Sequence, residues 1–168
     1  MLSKFKAIII AVLVAAMLSV TASAQQDFTF TTPDGKSVTL SGLRGRVVVL
    51  LFGGTQDPQC QDEFKALEEL ARQYEGKDVS IYWVSVNSAK EVSDAQLRAP
   101  CGPTGSVVVL RDTNQTAFKR FSGKVAQLPT IVVLNKQGEL QGQPRGGFNP
   151  NTDFVNDLRA VIDSLLSK

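Results

Sequence analysis

The chain has 168 residues, with 18 Lys and Arg against 16 Asp and Glu, two cysteines and no histidine. The missing histidine excludes Ser/His and Cys/His catalysis, and two thiols with carboxylates offer too few soft donors for a typical zinc or copper site. The near balance of charge leaves no electrostatic footprint for nucleic acid or an anionic membrane.

At the N-terminus, Lys4 and Lys6 precede an uncharged apolar run from Ala7 to Val20, followed by the small residues Ala22-Ser23-Ala24. That three-part layout predicts a secretory signal peptide over 1–24, with cleavage expected after Ala24. The run is shorter than the roughly 20 residues a spanning helix needs, so no stable membrane insertion is expected after cleavage. Cleavage removes two lysines and no acids, which leaves the mature chain formally neutral. Residues 25–168 suit one domain with one core. In an exported chain Cys60 and Cys101 fit either a disulfide or a reactive thiol.

Residues 28–31 (FTFT) and 37–40 (SVTL) flank the turn signal Pro33-Asp34-Gly35 and read as a hairpin. The continuous apolar run 46–53 (RVVVLLFG) is expected of a central strand covered on both faces. From Pro58 to about Tyr74, Phe64, Leu67, Leu70 and Ala71 recur at helical spacing, with charges filling the other face. Residues 78–86 (DVSIYWVSV) read as a second strand, in which Tyr82 and Trp83 are packing residues. A short helix near 90–98, a buried strand at 106–112 and a helix at 114–122 with Phe118 and Phe121 inward follow.

Leu128-Pro129-Thr130 opens a strand at 130–135 (TIVVLN), and Lys136-Gln137-Gly138 turns it into a partner strand at 139–143 (ELQGQ). QPRGGFNPN (143–151) reads as a connection. A last amphipathic helix from about Thr152 to Leu166 presents Phe154, Leu158, Val161, Ile162 and Leu165 on one face. Alternating strands and helices with a closing hairpin imply an α/β sandwich around a mixed sheet.

Two stretches carry a family resemblance. FTFTTPDGKSVTLSGLRGRVVVLLFGGT resembles the opening of exported thioredoxin-fold proteins of the redoxin and TlpA-like group, in which a similar run leads into W-C-x-x-C. LPTIVVLNKQGEL is similar to that group's second signature, where a proline with a cis peptide bond faces the active site. The resemblance implies a thioredoxin-like three-layer sandwich: a mixed central sheet with an N-terminal β-hairpin and a βα insertion. It also implies thiol–disulfide exchange in the periplasm or outside the cell, acting on a protein or small-molecule thiol or disulfide. The chain would be a monomer without metal or organic cofactor.

The W-C-x-x-C slot reads Gln56-Asp57-Pro58-Gln59-Cys60 here. Asp57 occupies the attacking position, Cys60 the resolving one, and Gly53 stands where the group has a bulky residue. Exchange needs one thiolate to attack and a second thiol to resolve, so this slot alone supports at most monothiol chemistry through Cys60. Glu63 matches the acid that in some TlpA-like proteins helps move the resolving thiol's proton. Leu128, Pro129 and Thr130, with Gln56, would line the substrate groove.

Asp57 followed by Pro58 also makes a good helix start, the carboxylate accepting free N–H groups and the proline fitting the first helical position. Donors consumed there no longer stabilise a Cys60 thiolate, so Cys60 is expected to be a weak nucleophile. A loss of chemistry with retention of the groove would instead make the chain a binding module. Peroxidase chemistry is a further reading, since peroxiredoxins share the fold around T-x-x-C. Here that slot holds Asp57, and Thr130-Ile131-Val132 supplies no arginine. Cys101 is a candidate distant thiol. A helix of about ten residues before it covers roughly 15 Å, beyond the roughly 7 Å a disulfide spans between Cα atoms, so Cys60 and Cys101 are expected to be unbonded.

Overall fold

A computed structural model of the protein describes residues 27–99, 105–125, 127–146 and 153–167. The predicted signal peptide, Cys101 and the end of the 143–151 connection lie outside the described residues.

The chain begins with the expected hairpin, β1 (Thr29–Thr31) against β2 (Ser37–Thr39), with Phe30 opposite Val38. Gly35 closes its turn at φ +85°, a conformation that favours glycine, and donates its N–H to the Thr32 carbonyl at 2.9 Å. Then come β3 (Val47–Gly53), α1 (Cys60–Gln73), β4 (Val79–Ser85), α2 (Asp94–Leu97) and β5 (Val108–Arg111). The chain continues through α3 (Thr116–Ser122), β6 (Thr130–Leu134), β7 (Arg145–Gly146) and α4 (Phe154–Leu166).

The sheet runs β2-β1-β5-β4-β3-β6-β7, with β3, β4 and β5 parallel and β6 antiparallel to β3. β3 therefore lies inside the sheet with helices on both faces, which is why it is apolar throughout and every one of its residues is buried. Val47, Val49 and Leu51 face Phe64, Leu67 and Leu70 of α1 and Leu158 and Ile162 of α4. Val48, Leu50 and Phe52 face Phe28 and Phe30 of the hairpin and Phe121 of α3. The result is the expected three-layer thioredoxin-like sandwich around a mixed sheet. Among the described residues no helix is long and apolar enough to cross a membrane.

Three elements differ from expectation. The helix near 90–98 shrinks to the four residues of α2, opened by a capping box between Ser93 and Gln96. Only Leu97 in it is buried, so there is no apolar stripe to extend it. Just upstream the buried Arg111 guanidinium donates to the Asn87 and Val92 carbonyls and to Asp94, which ties the chain down in a non-helical path.

The helix expected at 114–122 is shortened to α3, because Asn114 and Gln115 take positive φ angles of 67° and 57°. The buried Asp112 carboxylate accepts the Ala117 and Phe118 N–H groups and starts the helix there. Finally, the strand expected at 139–143 pairs with β6 through an isolated bridge, Leu140 to Leu134. Gly142, at φ +68°, bends the run, and the paired strand β7 forms two residues further on, inside the expected connection.

Candidate functional site

The turn between β3 and α1 is built mostly by backbone. Gly53 is level with Ser85 of β4, and its carbonyl accepts the Val86 N–H at 3.1 Å. Asn87 extends its side-chain carbonyl to the Thr55 N–H at 3.1 Å. Asp57 donates its N–H to Gly54 and accepts the Cys60 N–H on its own carbonyl at 3.0 Å. Its carboxylate accepts the Gln59 N–H at 2.9 Å, which closes the turn before the helix; the N-cap itself is Gln59 and has no side-chain cap bond, so the expectation of Asp57 as the helix cap is corrected. The helix itself begins at Cys60, so Pro58 sits in the preceding turn instead of at the first helical position.

Gly53 is dictated by its neighbour. A Cβ there would lie 2.9 Å from Trp83 Nε1 and 3.2 Å from two ring carbons. Trp83 is fully buried against Phe64, ring centroids 6.2 Å apart, and its indole N–H has no hydrogen-bond partner. It is a packing residue as expected. Sequence reasoning missed that the bulk absent at position 53 is supplied from the adjacent strand.

Cys60 is 3% exposed, packed in the layer that holds Phe64 and Trp83, and it is disulfide-bonded. The expectation of a free Cys60 thiol is therefore corrected. The sequence has one other cysteine, Cys101, which lies outside the described residues. The spacing argument that kept the two apart also fails, because α2 has four residues where about ten were assumed. Moreover, the chain leading into β5 lies on α1: the Glu68 carboxylate accepts the Gly105, Ser106 and Val107 N–H groups at 2.8, 2.8 and 3.0 Å.

One helical turn after Cys60, Glu63 is buried at 1% exposure, and its Oε1 has no hydrogen-bond partner. Burial, followed by the negative charge of Asp57, pushes its carboxyl up to about 7. A residue three positions along a helix lies on the same face, so a carboxyl able to take or release a proton near neutrality stands on the sulfur's side of α1.

The second signature lies at the same end of the sheet. The Leu128–Pro129 peptide bond is cis, and Thr130 is level with Phe52 of β3. Pro129 and Thr130 are buried, whereas Leu128 and Gln56 are exposed. The Thr130 hydroxyl donates to the Gln127 carbonyl. Among the described residues no group of three or more His, Cys, Asp or Glu is arranged to hold a metal ion.

Residues 21–143 match the AhpC/TSA family model. The chain belongs to the AhpC/TSA family. Within it, the thiol-disulfide oxidoreductase ResA of Geobacillus kaustophilus is 30% identical over 139 residues, 83% of this chain and 76% of that protein. The ResA of Halalkalibacterium halodurans is 28% identical over 115 residues, 68% of this chain and 62% of its own length. The chain thus spans just under two thirds of this second relative.

Solved structures agree on the fold of this AhpC/TSA member. The pneumococcal exposed lipoprotein thioredoxin Etrx1 of Streptococcus pneumoniae superposes with a TM-score of 0.69 at 22% identity, covering 83% of this chain and all of that one. A thiol:disulfide interchange protein of the thioredoxin family from Chlorobium tepidum gives 0.64 at 19% identity, covering 83% and 93%.

Proposed function

We propose that the chain performs thiol–disulfide exchange outside the cytoplasm, with Cys60 and Cys101 as a redox pair drawn from two separate segments. The single observation that carries this reading is the disulfide at Cys60, in a chain that has only one other cysteine. Monothiol chemistry, the expectation from the degenerate Q-D-P-Q-C slot, is replaced by a pair whose second thiol lies 41 residues downstream. The ResA relatives, named as thiol-disulfide oxidoreductases, support the reaction class. The apolar run and small-residue triplet before residue 25 support export.

In the reducing direction one thiolate of the pair attacks a client disulfide. The client S–S bond breaks, a mixed disulfide forms and one client thiolate leaves. The other thiolate then attacks the protein sulfur of the mixed disulfide, expelling the second client thiolate and leaving the internal disulfide. Two electrons pass to the client, and both departing thiolates take up protons. Glu63, with its carboxyl near neutrality, accepts the Cys60 proton before attack and returns it when an external reductant opens the disulfide. Asp57 holds the turn but cannot attack.

The test is peptide mapping without reductant, together with a disulfide-reporter assay of wild type, Cys60→Ser and Cys101→Ser. A 60–101 linked peptide and activity lost in both variants are expected. Wild-type turnover no faster than the variants would sink the reading in favour of a binding module. N-terminal sequencing of the exported protein should begin at Gln25.

A further inference from the structure

Resting on that two-cysteine reading, we propose that Glu68 is a positioning residue for the redox pair: its carboxylate pins the backbone at Gly105–Val107 to α1 and so keeps Cys101 within reach of Cys60. Glu68 lies eight residues after Cys60 on the same helix, about 12 Å along its axis at 1.5 Å per residue. Gly105 follows Cys101 by four residues, a length of chain that spans at most about 14 Å when extended. The two lengths match, so a chain fixed at Glu68 can return to Cys60 without moving either anchor.

The contact is specific in its chemistry. One carboxylate takes three consecutive backbone N–H groups, both oxygens being used, and charge-assisted bonds of this kind are the stronger class. Burial pushes the Glu68 carboxyl up, but the Ser106, Gly105 and Val107 N–H groups and Arg72 outweigh it and hold it below its ordinary value. Position 105 admits no side chain in this arrangement, since a Cβ would lie 2.7 Å from Glu68 Oε2. The buried ends of the connection, Leu97 and Val107, are ten residues apart in sequence, and the carboxylate shortens the segment left to search for Cys60.

A shorter search raises the effective concentration of one thiol at the other. By reciprocity the tether favours the disulfide as much as the disulfide favours the tether. Removing Glu68 therefore destabilises the oxidised form more than the reduced one. A residue that only stabilised the fold would weaken both equally and leave the thiol–disulfide equilibrium unmoved.

The experiment equilibrates the full chain with reduced and oxidised glutathione and counts free thiols by alkylation and mass. One oxidised glutathione accepts the two electrons of the Cys60 and Cys101 thiols and leaves as two reduced molecules. Glu68→Ala should lower the constant for internal disulfide formation about tenfold, equivalent to a potential roughly 30 mV more oxidising. Glu68→Gln, which retains an acceptor oxygen, and Gly105→Ala, which displaces the carboxylate, should each lower it several-fold, and Glu69→Ala on the exposed side should not. Constants at the wild-type value in the Glu68 and Gly105 variants overturn the proposal, and if Glu68→Ala fails to fold, the other two decide it. A wild-type protein without a 60–101 bridge overturns the two-cysteine reading and this inference with it, whereas a bridge with unmoved constants overturns only the role of Glu68.

Discussion

Gly53 and Trp83, side-chain neighbours on adjacent parallel strands, are so close that a Cβ on the glycine would touch the indole nitrogen at 2.9 Å. Gly53→Ala should therefore destabilise the protein by about 1–3 kcal/mol, the usual cost of overpacking a well-filled core. Trp83 is the chain's single tryptophan, so its emission reports the change directly. A shifted spectrum with a lower urea midpoint is the expected result, and an unchanged midpoint would mean the ring yields freely.

Glu63 predicts a pH dependence of stability. Its carboxyl rises from 4.5 to about 7 on folding, so between those values the native state holds more protons than the unfolded chain. Its contribution is fully present below about pH 4.5 and is lost as the pH rises through about 7, an effect on the order of 3 kcal/mol at most. Glu63→Gln should remove that decline and be more stable than wild type at pH 8. Parallel stability curves for the two proteins from pH 4 to 8 would contradict it.

Asp57 acts on the site by charge and by hydrogen bonding, and two substitutions separate these. Asp57→Asn keeps an acceptor for the Gln59 N–H but removes the charge that helps raise Glu63, so the Glu63 carboxyl should titrate lower by carbon NMR. Asp57→Ala loses the acceptor as well and should cost about a further 1 kcal/mol of stability.

Reducing the protein should lower its unfolding free energy by about 4 kcal/mol, the chain-entropy value for a loop closed between residues 60 and 101. The check is urea unfolding with and without reductant, with Cys60→Ser as the control that reductant leaves unchanged. A reductant effect that persists in Cys60→Ser would rule out the disulfide as its source.

The sequence made β3 readable because a seven-residue apolar strand with no alternation has few alternatives, and the hairpin because its turn chemistry is local. The proline signature at 128–130 carried the cis bond through resemblance. Glu63 was readable as a neighbour of Cys60, and its burial was signalled too: Cys60, Glu63, Leu67, Leu70 and Tyr74 share one stripe at helical spacing, with the carboxylate inside it. What was not readable depended on contacts distant in sequence. Arg111, at the end of the adjacent strand β5, holds the chain before α2 and so shortens that helix, Trp83 fills the space above Gly53, and Glu68 draws in a segment some 37 residues away. The error over Cys60 followed from the first of these, since the assumed length of one helix set the estimated distance between the cysteines.

The outermost strands, β2 and β7, are three and two residues long. Just before β7 the backbone is interrupted by Pro144 and the bend at Gly142, and β2 is preceded by the Lys36–Asp34 ion pair at 3.0 Å. Unpaired strand edges are where foreign backbone docks and aggregation starts. Among the described residues each margin is too short and too irregular to template another chain, so the sheet's open edges carry their own protection against edge-to-edge association.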